Sequence, residues 1–287
     1  MTTARNFSLI GFIKLTRIGN LLIIVFAQYF ASFFLVTSAQ NWKTYLLDID
    51  LFFLSLSSVL IAASGYIIND YYDVKIDYIN KPDRVVVGKV IKRRVVMAAH
   101  TIINFCGIGI GYLVSPIFAF INFGSAMLLW LYSNQLKRLV LVGNLAVSVL
   151  AGLSIYVVEL LYQSHNPLLF IYASFALGYT VIREVVKDVE DVQGDEAFGC
   201  KTLPIVYGVR KTKVFLFLFI ILFGASLSYL LFNIASPFGL ILMTGNIVLL
   251  TTLTIVLYQA DTKKEFHRLS TVTKIMMMLG ILSMIFI

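Results

Sequence analysis

Nine runs of mostly apolar residues, each near the ~20 residues that a helix needs to cross hydrocarbon, follow one another along the 287-residue chain. They fall at 20–38, 50–70, 95–113, 116–133, 139–158, 167–182, 214–232, 237–258 and 270–287. Backbone polar groups in lipid must be satisfied within each segment, so this pattern admits few folds. The expectation is an all-α integral membrane protein with about nine transmembrane helices in one bundle. A content of 59% hydrophobic and 13% charged residues excludes an ordinary soluble domain. No long polar or Pro/Ser-rich linker breaks the pattern, so residues 1–287 read as a single domain. No small-residue cleavage site follows the first apolar run, which reads as a retained span. Ser115-Pro116, Asn166-Pro167 and Ser236-Pro237 mark tight turns between spans.

The basic residues alternate with the same period. Three lie in the N-terminal segment, seven between spans 2 and 3, two between 4 and 5, six between 6 and 7, and four from the end of span 8 into the start of span 9, namely Lys263, Lys264, Arg268 and Lys274. Of 23 Lys and Arg, only Lys43 is left for the other side. Positive connections stay cytoplasmic, so the N-terminus is expected in the cytoplasm of a cell (inner) membrane protein. The net charge of +8 is then a topology signal, and no nucleic-acid partner is needed to explain it. Cys106 and Cys200 have no neighbour at metal-ligand spacing, and His100, His165 and His267 are scattered, so none is given a role.

Ten of the 15 acidic residues sit in two of these basic connections. Asp70, Asp73, Asp77 and Asp83 lie between spans 2 and 3; Glu184, Asp188, Glu190, Asp191, Asp195 and Glu196 lie between spans 6 and 7. A helix prolonging span 2 would put Asp70, Asp73 and Asp77 on one stripe, and one prolonging span 6 would do the same for Glu184, Asp188, Asp191 and Asp195. Such stripes repel themselves beside a low-dielectric membrane, and a hard cation with oxygen ligands relieves the repulsion. Mg²⁺ prefers a few carboxylates together with substrate phosphates, so two facing stripes suggest a diphosphate held between them. Lys75, Arg84, Lys137, Arg183 and Lys187 are placed to contact phosphate oxygens, although each also reads as a residue that only sets topology. Asn69 is a ligand or a local hydrogen-bonding group, and Asn20, Gln28 and Asn144 line a cavity or join helices.

Asn69-Asp70-x-x-Asp73-x-x-x-Asp77 and Asp191-x-x-x-Asp195 resemble the paired motifs of the UbiA-type intramembrane prenyltransferases. The similarity extends through "LTRIGNLL" (Arg17, Asn20), "YSNQLKR" with "GNL" (Tyr132, Ser133, Lys137, Asn144) and "KTLPIVYG", covering roughly residues 14 to 210. It implies Mg²⁺ held by Asn69, Asp70, Asp73, Asp191 and Asp195, with Asp77 completing the catalytic carboxylates. It also implies an isoprenyl diphosphate donor contacted by Asn69 and Lys137, an active site facing the cytoplasm and a lipophilic acceptor taken from the membrane lipid. The segment from Arg183 to Gly208 is most similar to the ether-lipid branch, the digeranylgeranylglyceryl phosphate synthases, whose acceptor is a glycerol-phosphate hydroxyl. The alternative acceptor is aromatic, as in quinone synthesis from 4-hydroxybenzoate or 1,4-dihydroxy-2-naphthoate. After the first motif the chain reads "NKPDRVVVGKV", where many members have "RPDRPLPSG".

Other classes fit less of the sequence. A CDP-alcohol phosphatidyltransferase would carry a D-G-x-x-A-R run, which is missing. A cation transporter with an acidic vestibule would place its ionisable residues near the midplane, and here they gather at one face. An inactive lipid-binding relative would be expected to have lost motif carboxylates, and all are present.

Overall fold

The computed structural model describes residues 8–36, 46–232 and 237–286. Within them nine helices are long and apolar enough to cross a membrane. A short α1 (Leu9–Thr16) leads into α2 (Ile18–Phe30), which a π turn at Ala31–Val36 prolongs. There follow α3 (Ile49–Asn80), α4 (Arg93–Val114), α5 (Pro116–Asn134), α6 (Val142–Tyr162) and α7 (Pro167–Glu190). Two short helices, α8 (Val192–Ala197) and α9 (Leu203–Tyr207), precede α10 (Val209–Phe232), α11 (Pro237–Gln259) and α12 (Lys263–Leu282). Lys43, Arg5 and Ser236, which entered the sequence argument, lie outside the described residues.

Local chemistry sets the helix ends. The Asp48 side chain caps α3 by accepting from Asp50 N and Leu51 N, and the Tyr162 hydroxyl donates to its other oxygen at 2.6 Å. Pro116 and Pro167 stand at first helical positions, where a missing N–H costs nothing. Asn166 caps α7 and ties it to the Leu35 carbonyl at 2.6 Å. A capping box between Thr262 and Glu265 opens α12.

The two motif-bearing helices are central. The spanning windows of α7 and α3 are 67% and 56% buried, against 39% or less for every other span. Tyr179, Val181 and Val185 of α7 meet Leu216, Leu253 and Leu269 of α10 to α12, and Leu169 and Tyr172 meet Ala27, Ile155 and Leu227. The outer spans turn residues such as Phe105, Phe120, Ile221 and Tyr258 outward, as helices facing lipid do.

At 1.5 Å per residue, the 32 residues of α3 reach about 48 Å, well beyond a hydrocarbon core of about 30 Å. Its last turns therefore stand outside the core, and they carry the first motif. The basic connections converge there: Arg17 meets Asp70, Lys137 meets Asp73, Lys81 meets Asp191, and Lys263 reaches the Asn80 carbonyl. Contacts such as Tyr162–Asp48 and Asn166–Leu35 occupy the opposite end.

Three details differ from the sequence expectation or decide it. The sixth span runs on from 182 to Glu190, and the ninth begins at Lys263 instead of 270, because helices continue past the hydrocarbon edge where charge is solvated. The loop reading "NKPDRVVVGKV" buries Val86 and Val87, together with Ile91 just after it, against Leu15, Ile67 and Val96, so its unusual valines plug the junction of α1, α3 and α4. Gln28 and Asn144 join helices: Gln28 bonds Ser58 and the Ser154 carbonyl, and Asn144 donates to Asp188 at 2.9 Å. His100 is satisfied between the Ser64 carbonyl and Asn104, His267 lies 3.1 Å from Glu190, and both cysteines are free thiols.

Candidate active site

The first motif lies on one face of α3, as the i, i+3, i+7 spacing requires. Each of its first two carboxylates is held by a cation from another segment. Arg17 Nη2 donates to Asp70 Oδ1 at 2.6 Å, and Lys137 donates to Asp73 and, at 3.4 Å, to Asn69 Oδ1. Arg17 is the residue at which α1 breaks from α2: its φ of 52° is left-handed, and the turn aims the guanidinium at α3, 5.1 Å from the Tyr66 ring centroid. Burial opposes its charge, but Asp70, Tyr66 and Asp77 together more than offset this and raise its pKa above the ordinary arginine value.

Lys137 belongs to a single 3₁₀ turn, Leu136–Arg138, between α5 and α6. Gly143 makes room for that turn, since a Cβ there would lie 2.6 Å from Lys137 Cα. The Arg138 carbonyl accepts from Lys201 N at 2.8 Å, so the turn is also tied to the segment after the second motif.

The second motif does not continue α7 as one stripe. The helix ends at Glu190, Asp191 takes φ −100° and ψ 6°, and α8 starts in a new direction. The cause is a clamp from α3. Asn80 Nδ2 donates to the Asp191 carbonyl at 3.0 Å, and Asn80 Oδ1 accepts from Gly194 N at 2.9 Å. Only glycine fits, because a Cβ at 194 would stand 2.4 Å from Asn80 Nδ2. Asp191 Oδ2 accepts from Lys81 at 2.7 Å, while its Oδ1 is buried with no hydrogen-bond partner. Burial pushes the Asp195 carboxyl up to about 7, and Asp191 and Asp73 reinforce the shift. Glu184 and Asp188 turn elsewhere, the first to Lys187 and Arg183, the second to Asn144.

The two motifs thus meet through Asn80, and their carboxylates are hard oxygen donors. Among the described residues no three His, Cys, Asp or Glu side chains converge tightly enough to hold a metal ion unaided. Asp77 and Asp195 form no ion pair among the described residues, so these two and Asp191 Oδ1 offer oxygens not engaged by a cation.

A cavity of about 320 Å³ opens among α2, α3, α5, α6, α7 and α12. Arg17, Asn20, Asn69, Arg183, Lys187 and Lys274 line one end, and Ile121, Leu153, Val157, Ile281 and Met284 line its apolar part. The Tyr66 and Tyr132 rings also face it. Such a space suits an amphiphile with an anionic head and a long apolar tail. The motif carboxylates themselves are not in the lining; Asn69, and Arg17 through Asp70, connect them to it.

Of the substrate-contact residues read from the sequence, Asn69, Lys137, Lys187 and Asn20 fall at the motifs or the cavity. Lys75 and Arg84 do not: both are exposed, and Lys75 lies about 200° round the helix from Asp73 and Asp77. The sequence reading did not single out Asn80, Lys81 or Lys274. Asn80 follows Asp77 by three residues, a continuation of the same face that was open to notice.

The sequence profile of the UbiA prenyltransferase family matches residues 24–278. A digeranylgeranylglyceryl phosphate synthase of Methanospirillum hungatei is 36% identical over 195 residues, 66% of this chain and 69% of its own. A solved digeranylgeranylglyceryl phosphate synthase superposes with a TM-score of 0.73 at 25% identity, covering 96% of this chain and 97% of that one. A UbiA homologue from Archaeoglobus fulgidus, solved with GPP and Mg²⁺, superposes with a TM-score of 0.71 at 13% identity, covering 96% and 99%. With a profile match over most of its length and the same fold from end to end, this chain belongs to the UbiA prenyltransferase family.

Proposed function

We propose that the chain transfers a geranylgeranyl group from geranylgeranyl diphosphate to the free hydroxyl of geranylgeranylglyceryl phosphate, with Mg²⁺ as cofactor, at the cytoplasmic face of a cell membrane. The observation that carries this reading is the gradient along the cavity, from Arg17, Arg183, Lys187 and Lys274 to Val157, Ile281 and Met284. It matches a phosphorylated head and a prenyl tail. The names of the relatives, all digeranylgeranylglyceryl phosphate synthases among those with the strongest matches, support the acceptor.

The residues fit Mg²⁺. Asp70, Asp73, Asp77, Asp191 and Asp195, with the Asn69 amide, would hold it, and the unpartnered Asp191 Oδ1 is the oxygen most in need of a cation. Because no three donors converge, part of the coordination would come from phosphate oxygens, as Mg²⁺ commonly arranges. When bound, Mg²⁺ supplies charge neutralisation for the leaving diphosphate.

The chain's own residues account for the rest. Arg17 and Lys137 stand beside the motif to donate charged hydrogen bonds to phosphate oxygens. The allylic C–O bond breaks with both electrons leaving on the diphosphate, and the Tyr66 and Tyr132 rings face the cavity where the cationic carbon forms. The acceptor hydroxyl oxygen then forms the ether bond and gives up its proton, which the released diphosphate accepts. The apolar walls keep water, the competing nucleophile, away.

The test is Mg²⁺-dependent transfer from labelled geranylgeranyl diphosphate in membranes to geranylgeranylglyceryl phosphate, 4-hydroxybenzoate and 1,4-dihydroxy-2-naphthoate. Labelled ether product with the glycerol phosphate alone is expected. Product with an aromatic acid instead would keep the chemistry and overturn the acceptor.

A further inference from the structure

The C-terminal helix sends one cation into the cavity, and no step above uses it. Lys274 interrupts the otherwise apolar run "TVTKIMMMLGIL" of α12 and lines the cavity wall. A lysine inside a spanning helix normally pairs with an acid or leaves for the interface. Among the described residues this one does neither: its Nζ donates to the Asn20 amide oxygen at 2.7 Å, and a second cation, Arg183, lines the same cavity.

Arg183 carries an independent sign of a missing partner. Its Nη1 donates to Glu184 at 2.9 Å, but its Nε is buried with no hydrogen-bond partner, and it lines the same cavity. Glu184 is shared with Lys187, so Lys274, Arg183 and Lys187 face a single carboxylate on this wall. Asp188, one turn further, is held by Asn144 and does not line the cavity. A wall with three cations to one carboxylate in a low-dielectric cavity favours a further anion against it. The cations on the diphosphate motifs form a different set, Arg17, Lys137 and Lys81, and neither Lys274 nor Arg183 pairs with a motif carboxylate.

We propose that Lys274, with Asn20 and Arg183, forms a second anion subsite that takes the phosphate of the acceptor, which makes Lys274 a specificity-determining residue. The inference rests on the transfer reading above and deepens it. A phosphomonoester supplies oxygens for the unpartnered Arg183 N–H and for the remaining Lys274 donors. An acceptor without a phosphate leaves both unsatisfied, so the subsite selects against it.

The experiment compares wild type, Lys274→Gln and Lys274→Arg, each as the full chain in lipid nanodiscs, with geranylgeranyl diphosphate and geranylgeranylglyceryl phosphate varied in turn. Lys274→Gln is expected to raise KM for the glycerol phosphate by about tenfold or more, the loss of one charged hydrogen bond, while KM for the diphosphate stays put. Lys274→Arg should recover most of the loss. The dephosphorylated acceptor, geranylgeranylglycerol, should be used equally poorly by wild type and Lys274→Gln. A rise confined to the diphosphate KM would mean that the donor supplies the anion and would overturn the assignment, as would unchanged KM values for both. If wild type itself ignores geranylgeranylglyceryl phosphate, the transfer reading fails; if wild type uses it and Lys274→Gln matches wild type, only the Lys274 subsite fails.

Discussion

Asp73→Asn is expected to lower turnover by about a thousandfold or more while the protein still inserts and folds. Asp73 sits at the centre of the first motif, between Asp70 and Asp77 on one face of α3, and it is the anchor of Lys137. Removing its charge would weaken the proposed metal site and loosen the hold on Lys137 at once. Stabilisation of a leaving diphosphate is worth several kcal/mol, and each 1.36 kcal/mol is a factor of about ten in rate. The amide is isosteric and still accepts a hydrogen bond from Lys137, so folding should survive. Turnover assays beside thermal melting in detergent read the two effects separately. Wild-type turnover in the variant would remove Asp73 from the proposed site.

Asn80→Ala is expected to damage stability and activity together. The Asn80 side chain is buried and makes both of its bonds to the second motif, at the Asp191 carbonyl and Gly194 N. Truncation strips a partner from two largely buried backbone groups at about 1–3 kcal/mol each, so a loss of roughly 2–4 kcal/mol follows after partial rehydration. It also releases the break at Asp191 that points the second motif toward the first. Turnover should fall by about one to two orders of magnitude, comparable to losing a support of a metal ligand. Gly194→Ala reaches the same clamp from the other side, because its Cβ would collide with Asn80, and it should fail in the same way. Melting temperature and Mg²⁺ titration of activity check both; an Asn80→Ala protein with wild-type Mg²⁺ response would show that the clamp does not position the motif.

Much of this architecture is legible because two periodicities coincide. Apolar runs of spanning length give the bundle, and the alternation of basic connections groups the segments that the structure brings together around Asp70, Asp73 and Asp191. The first motif is equally legible, because α3 continues unbroken to Asn80 and helical spacing holds along it. The second is not. Its spacing fits the same stripe, but a tertiary contact at Gly194 overrides helix continuation, and nothing local to "VEDVQGD" other than the glycine announces it.

The cations show the limit of pattern most plainly. Lys75 and Lys137 look alike in sequence as lysines of the basic connections, yet one is exposed on the far side of α3 and the other is wedged against Asp73 by a 3₁₀ turn that Gly143 accommodates. Arg17 depends on a left-handed residue between two helices, which apolar periodicity does not reveal. Lys274 is marked in the sequence by its apolar surroundings, but its neighbours Asn20 and Arg183 come from helices distant in the chain.

If both motifs together hold the diphosphate with Mg²⁺, as proposed, binding of a non-ionising donor reports it without turnover. Purified protein in nanodiscs would be titrated with geranylgeranyl thiodiphosphate, with Mg²⁺ and after chelation, for wild type, Asp73→Asn and Asp191→Asn. Chelation is expected to weaken wild-type binding by about 10- to 100-fold, and either substitution to remove most of this metal dependence. Equal affinity with and without Mg²⁺, or a metal dependence untouched by loss of either carboxylate, would contradict it.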